Sequence, residues 1–252
     1  MGDKGYEERT YRNLAGIDDL APFNVIVQET DLQVHASRPL QKVTRDLILK
    51  HRGFIEKYIA IYPEFLKTLV PWHVDDFAPQ IVGKMIDAGR KAGVGPMAAV
   101  AGAVAEFVGI DLLSYTDEVV VENGGDIFLK TNRLLTVGVY AAGSPLSLKM
   151  GLRIDSRDKP AAVCTSSGTV GHSLSFGKAD AVCIISGSCP LADAAATAVG
   201  NRVKGKKDIQ NAIDFGKEIE GVMGIVVIIG ENAGFWGDME VVSLSDEKRV
   251  EF

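Results

Sequence analysis

The chain has 252 residues, of which 46% are apolar and 24% charged, and its formal net charge is −6. Such a length can bury a sizeable core as one large or two small domains. The acidic balance argues against nucleic acid or an anionic membrane as partner.

The first ten residues read as disordered, with 11–252 as one domain. Met1–Arg12 is charged and carries no apolar signal segment, and the longest apolar run, Met223–Ile229, is far too short to cross a bilayer. The expectation is a cytoplasmic protein with no membrane partner. Cys164, Cys183 and Cys189 show no CxxC spacing, which suits free thiols.

Phe23–Glu29 and Gln33–Ala36 are β-rich runs around a short polar turn, a hairpin pattern. Apolar residues then recur at helical spacing from Lys42 to about Leu69, with Pro63 expected to break the helix. Pro71 and Pro79 bracket a loop holding Trp72, His73, Asp75 and Asp76, read as a surface loop. A second helix is expected from Pro79 to Ala92, terminated by Gly93. A third runs from Met97 to about Leu113, and its small residues allow close backbone approach.

Six β-rich runs follow: Val119–Glu122, Ile127–Lys130, Leu134–Tyr140, Leu148–Ile154, Ala161–Thr165 and Ala181–Ser186. A helix opens at Pro190 and another spans Asp208–Ile219. Met223–Gly230 reads as a central strand and Met239–Leu244 as the last one. Separate blocks of strands and helices predict an α+β fold, with a mostly antiparallel sheet and helices packed on a face. No GxGxxG follows an early strand, which argues against a doubly wound dinucleotide fold.

Three polar segments carry candidate chemistry. Asn123-Gly124-Gly125-Asp126 joins two apolar strands. It reads as a hairpin turn, or as a backbone that a planar ligand or phosphate can approach because two residues lack Cβ. Thr165-Ser166-Ser167-Gly168 ends a strand and offers hydroxyls and exposed N–H groups, an anion nest or simply a polar loop. His172 follows, as a proton-transfer candidate or a structural histidine. Third, Pro190 fits the start of a helix in which Asp193 is expected in the first turn, where its charge would suit the dipole. Thr197 lies four residues on, on the same face and roughly 6 Å along the axis. An acid and an alcohol so placed suit Mg²⁺ with a phosphorylated ligand, or else dipole compensation and packing. Cys189 at this helix start could be an acidified thiol, though an inert buried thiol is the plainer reading.

In order and chemistry these segments resemble the ApbE superfamily, whose characterised members are FAD:protein FMN transferases. Asn123, Gly124, Gly125 and Asp126 match the family's Asn-x-Gly-Gly-Asp-like turn, and Thr165 to Gly168 match its Thr-Ser-Gly segment with one extra residue. His172 stands for the family's histidine. Asp193, Ala194 and Thr197 match its Asp-Ala-x-x-Thr magnesium motif. The match covers about residues 80–205. The opening hairpin and Gly93–Gly102 look like a shorter, poorly characterised prokaryotic branch, linked to sulfur assimilation into homocysteine.

The resemblance implies an ApbE-like, T-fold-like architecture. It implies Mg²⁺ on Asp193 and Thr197, and FAD or another nucleotide against Asn123, Gly124, Gly125, Asp126, Thr165, Ser166, Ser167 and Gly168. His172 would relay a proton, and the reaction would transfer FMN to a protein substrate. The segment with which the transferases clamp flavin has no counterpart here. A non-catalytic binding module, or a sulfur-assimilation accessory protein, is therefore the alternative. A homodimer is expected, through the Met97–Leu113 helix and the long helix after Lys42.

Overall fold

The computed structural model describes residue 17, residues 19–168 and residues 176–244. The expected disorder of the first ten residues lies outside them. An eight-stranded sheet forms the middle layer. Its strands are β1 (Ala21–Val27), β2 (Thr30–Ala36), β3 (Val119–Asn123), β4 (Asp126–Lys130), β7 (Ala161–Ser166), β8 (Ala181–Ser186), β9 (Val222–Ile229) and β10 (Asn232–Gly237), in that spatial order. A smaller sheet has the order β11 (Glu240–Ser243), β6 (Met150–Asp155), β5 (Leu134–Gly138). Every pairing among these strands is antiparallel.

The helices are α1 (Gln41–Ile61), α2 (Gln80–Ala92), α3 (Val100–Leu112), α4 (Cys189–Gly200) and α5 (Ile209–Gly216). They cover one face of the large sheet, and the small sheet lies over the other. The alternation of side chains along a strand explains two cores. Val119, Val121, Val182, Ile184, Ile225 and Val227 pack with the helices. Their neighbours Val120, Cys183, Ile185, Val226 and Ile228 pack with Leu135, Val137, Leu152 and Ile154 of the small sheet. A sheet covered on both faces needs unbroken apolar strands, and the Val119–Val121 and Ile225–Ile228 runs are of that kind. The sequence pointed to one such sheet; the second covering sheet is a finding of the structure.

Punctuation residues act as expected. α1 stops at Ile61 and Pro63 opens a 3-10 turn, Pro63–Leu66. Gly93 ends α2 in the left-handed region at φ 73°. Strand β10 escaped the sequence reading because Asn-Ala-Gly-Phe-Trp-Gly holds two glycines and no alternation. It forms because the turn at Gly230 returns the chain along β9.

The small residues of α3 do admit another backbone, but that backbone belongs to the same chain. A Cβ at Gly102 would stand 2.5 Å from the Cys189 carbonyl oxygen, and one at Gly109 would stand 2.2 Å from the Phe128 ring. α3 is thus enclosed by α4, α1 and the sheet. Arg202, just after α4, serves its C-terminus: it donates to the Ala198 carbonyl at 2.7 Å and stacks on Phe215. Among the described residues no single helix is long and apolar enough to cross a membrane.

Candidate functional site

The hairpin between β3 and β4 turns through Gly124 (φ 69°) and Gly125 (φ 101°), a conformation that favours glycine at both positions. Glu122, fully buried, accepts the Gly125 N–H at 2.7 Å and stiffens the turn. Asn123 is buried and donates its side-chain amide to the Ala101 carbonyl at 3.0 Å. The turn is thereby docked on the first turn of α3, leaving Gly124 at the surface.

Strand pairing brings the second segment alongside. Asp126 stands opposite Cys164, and the Thr165 N–H donates to the Gly125 carbonyl at 3.1 Å. The Thr165 hydroxyl contacts Cys183 Sγ at 3.1 Å. Ser166, at the end of β7, lies against the C-terminal end of α4: a Cβ built on Gly200 would be 3.8 Å from its hydroxyl oxygen. Ser167 is partly buried, whereas Gly168 is exposed and donates to the Ala179 carbonyl at 2.9 Å. His172 lies outside the described residues.

α4 supplies the third part. Cys189 and Pro190 begin the helix, so Asp193 falls in its second turn, not in the first as expected. Its carboxylate therefore serves a different helix: it accepts the Gly102 N–H of α3 at 2.9 Å and is also bonded by the Ala101 N–H. Those amides belong to the first turn of α3, where N–H groups have no partner within their own helix. The arrangement is reciprocal. Glu106 of α3 is buried and accepts the Cys189 N–H at the start of α4 at 2.6 Å. Each helix thus caps the other with a carboxylate, the contact being permitted by the missing side chain of Gly102. Sequence reasoning passed over Glu106. Its signal was an acid standing alone in the apolar Ala-Val-Ala-Gly-Ala-Val-Ala-Glu-Phe stretch.

Charge accumulates at this junction. Burial pushes the Asp126 carboxyl well above the usual range, and the nearby charge of Asp193 pushes it further. Desolvation likewise raises Asp193, to about 7, against the opposing bonds from Gly102 and Ala101. Burial raises Glu106 as well, while its bond from Cys189 works the other way. Cys164 and Cys189 face each other with sulfurs 3.5 Å apart and are fully buried. Burial pushes the Cys189 thiol up to about 11, the opposite direction from an acidified thiol.

The structure thus brings Gly125, Asp126, Thr165, Asp193 and the start of α3 together. Thr197 stands one turn along α4 from Asp193 and is partly exposed, and Gly200 at the end of the same helix lies against Ser166. Among the described residues no three His, Cys, Asp or Glu side chains form a group able to hold a metal. A cation here would rely on carboxylate and hydroxyl oxygens completed by ligand or water, the hard donor set that suits Mg²⁺.

The family model described as AbpE bacteria matches residues 14–241. UPF0280 proteins of Methanococcus aeolicus and Methanosarcina acetivorans are 43% and 40% identical over 82% and 87% of this chain, and over 86% and 88% of their own lengths. That of Methanocella arvoryzae is 44% identical over 84% of this chain and 86% of its own. Among solved structures, the apo flavinyl transferase ApbE of Pseudomonas stutzeri is similar over 91% of this chain and 96% of that one, at 14% identity and a TM-score of 0.49. With a family model spanning most of its length and relatives this similar, the chain belongs to the ApbE-like superfamily, among the UPF0280 proteins.

Proposed function

We propose that the protein is a Mg²⁺-dependent enzyme acting on FAD or a related nucleotide, as a transferase of its FMN portion to a protein substrate. The observation that carries this reading is the meeting of two carboxylates, Asp126 and Asp193, beside the glycine turn and the Thr165–Ser166 strand end. Two acids that raise the cost of each other's ionisation lose that conflict when a cation stands between them. Their oxygens, with the Thr197 hydroxyl, fit a hard divalent ion. Such an ion supplies polarisation of phosphoryl oxygens when bound.

The chain's own residues do the rest. The Ala101 and Gly102 amides fix one side of the Asp193 carboxylate, holding the other in one orientation. Gly124 and Gly125 let a flat or phosphorylated ligand reach the backbone closely. Thr165 and Ser166 offer hydroxyls at the edge of the same surface. The proton relay assigned to His172 by resemblance belongs to this proposal as well.

Incubation with FAD and Mg²⁺ should release AMP as FMN is transferred to a protein hydroxyl, and Asp193→Ala should abolish the release. Absence of both product and FAD binding would defeat the reading.

A second reading has its own support: Asp193 already serves α3 as a cap, and Asn123 already ties the turn to α3. A scaffold so used can bind a nucleotide without reacting, as a binding module or an accessory protein in sulfur assimilation. FAD retention with no AMP release, unaffected by Mg²⁺, would favour it.

A further inference from the structure

The segment from the end of α1 to the start of α2 leaves its large apolar side chains in the open. Ile61, Leu69, Val70, Val74 and Phe77 are each more than half exposed, and Phe77 is 98% exposed. Phe54, Tyr62 and Leu66 flank them and are nearly as open. At about 150–250 Å² for a large side chain, this patch presents roughly 800 Å² of apolar surface. A monomer's largest apolar patch is commonly ~300–600 Å². A stable interface covers about 800 Å² on each partner.

The patch is shaped and held. Phe54, Ile61, Tyr62 and Phe77 surround a depression of about 370 Å³. Pro63, Glu64, Lys67, Thr68 and Trp72 line a second of about 380 Å³. The backbone that carries Phe77 is held: its N–H donates to Asp75 Oδ1 at 3.0 Å, while Asp75 Oδ2 accepts the Tyr58 hydroxyl at 2.8 Å. Trp72 donates to the same hydroxyl at 3.3 Å and packs edge-on against Phe65. A backbone fixed in advance loses less freedom on docking.

We infer that this face, α1 from Phe54 together with residues 61–77, is where a second copy of the chain docks in a two-fold dimer. A two-fold interface requires one surface to complement itself. Here a projecting ring, Phe77, and depressions able to receive a ring lie along one segment. Of the exposed charges on this face, Glu56 is ion-paired with Arg52 at 3.0 Å, and Lys57 and Lys67 balance Glu64 and Asp76, although the whole chain is at −6. A patch without net charge does not repel its own copy. Lacking a basic excess, it offers little to an anionic membrane. It also adjoins the candidate site: Thr68 and Leu69 lie against Gly95, which leads through Pro96–Ala99 into α3.

Sedimentation equilibrium of the full-length protein tests the assignment. Twice the chain mass is expected, with Phe77→Glu and Ile61→Glu each weakening association about tenfold or more. Both side chains are exposed, so circular dichroism should be unchanged. Three results would each overturn the assignment: a monomer at every concentration, a dimer that survives the double variant, or a monomer that co-sediments with phosphatidylglycerol vesicles.

Discussion

Two regions of the molecule bury chemistry in opposite ways. At the α3–α4 junction the side chains are small and the backbones touch, so buried Glu106 and partly buried Asp193 reach the amides that each helix end leaves unpaired. In residues 54–77 the side chains are large and aromatic, and most stay open, with Phe65 as the fully buried anchor. The first region satisfies its polar groups inside one chain; the second leaves apolar area that one chain does not cover. Small residues make a precise internal contact, and large ones make a surface that calls for a partner.

The contrast can be broken first at the aromatic anchor. Phe65→Ala removes a ring that packs on Tyr58 and Trp72 and should cost about 4 kcal/mol of stability by urea unfolding. A loss below about 1 kcal/mol, the level of most surface changes, would show that the segment is not held from beneath.

The junction offers a smaller effect with a sharper control. Glu106→Ala leaves the buried Cys189 N–H without its acceptor and should cost about 2 kcal/mol. Glu106→Gln keeps an acceptor and avoids a buried charge, so it should recover most of the loss. Equal losses in both variants would mean that the cap contributes little.

The third effect is a slope. Asp126, Asp193 and Glu106 all hold protons more tightly folded than unfolded. The folded state then binds more protons, so stability falls as pH rises. Asp193's share is fully present below its ordinary value of 3.8 and is lost as pH passes through about 7. Without divalent cations, the thermal midpoint should therefore decline between about pH 5 and pH 7.5, and Asp193→Asn should flatten the decline. Added Mg²⁺ should raise the midpoint at the upper pH and much less at the lower one, where the carboxyls are protonated. A midpoint that climbs with pH in metal-free buffer would contradict the charge arrangement of the junction.

Local chemistry along the chain was enough for much of this protein. Pro63 ends α1 because proline cannot continue a helix, Pro190 opens α4, and Gly124-Gly125 makes a tight hairpin because both residues adopt positive φ. The α+β class followed from the blocks of strand and helix patterns. The polar turns were legible as a set, and pairing of β4 with β7 does bring Asp126 beside Cys164 and Thr165 beside Gly125.

The partners of the buried charges were decided only by the fold. Asp193 reads as a charge for its own helix, yet it caps residues 101 and 102, some ninety positions earlier. Glu106 carries no motif at all until Cys189 stands opposite. Helical periodicity and turn preference act over a few neighbouring residues and are written in sequence. Desolvation and capping depend on which backbone arrives within 3 Å, and that is settled when α3, α4 and the sheet pack together.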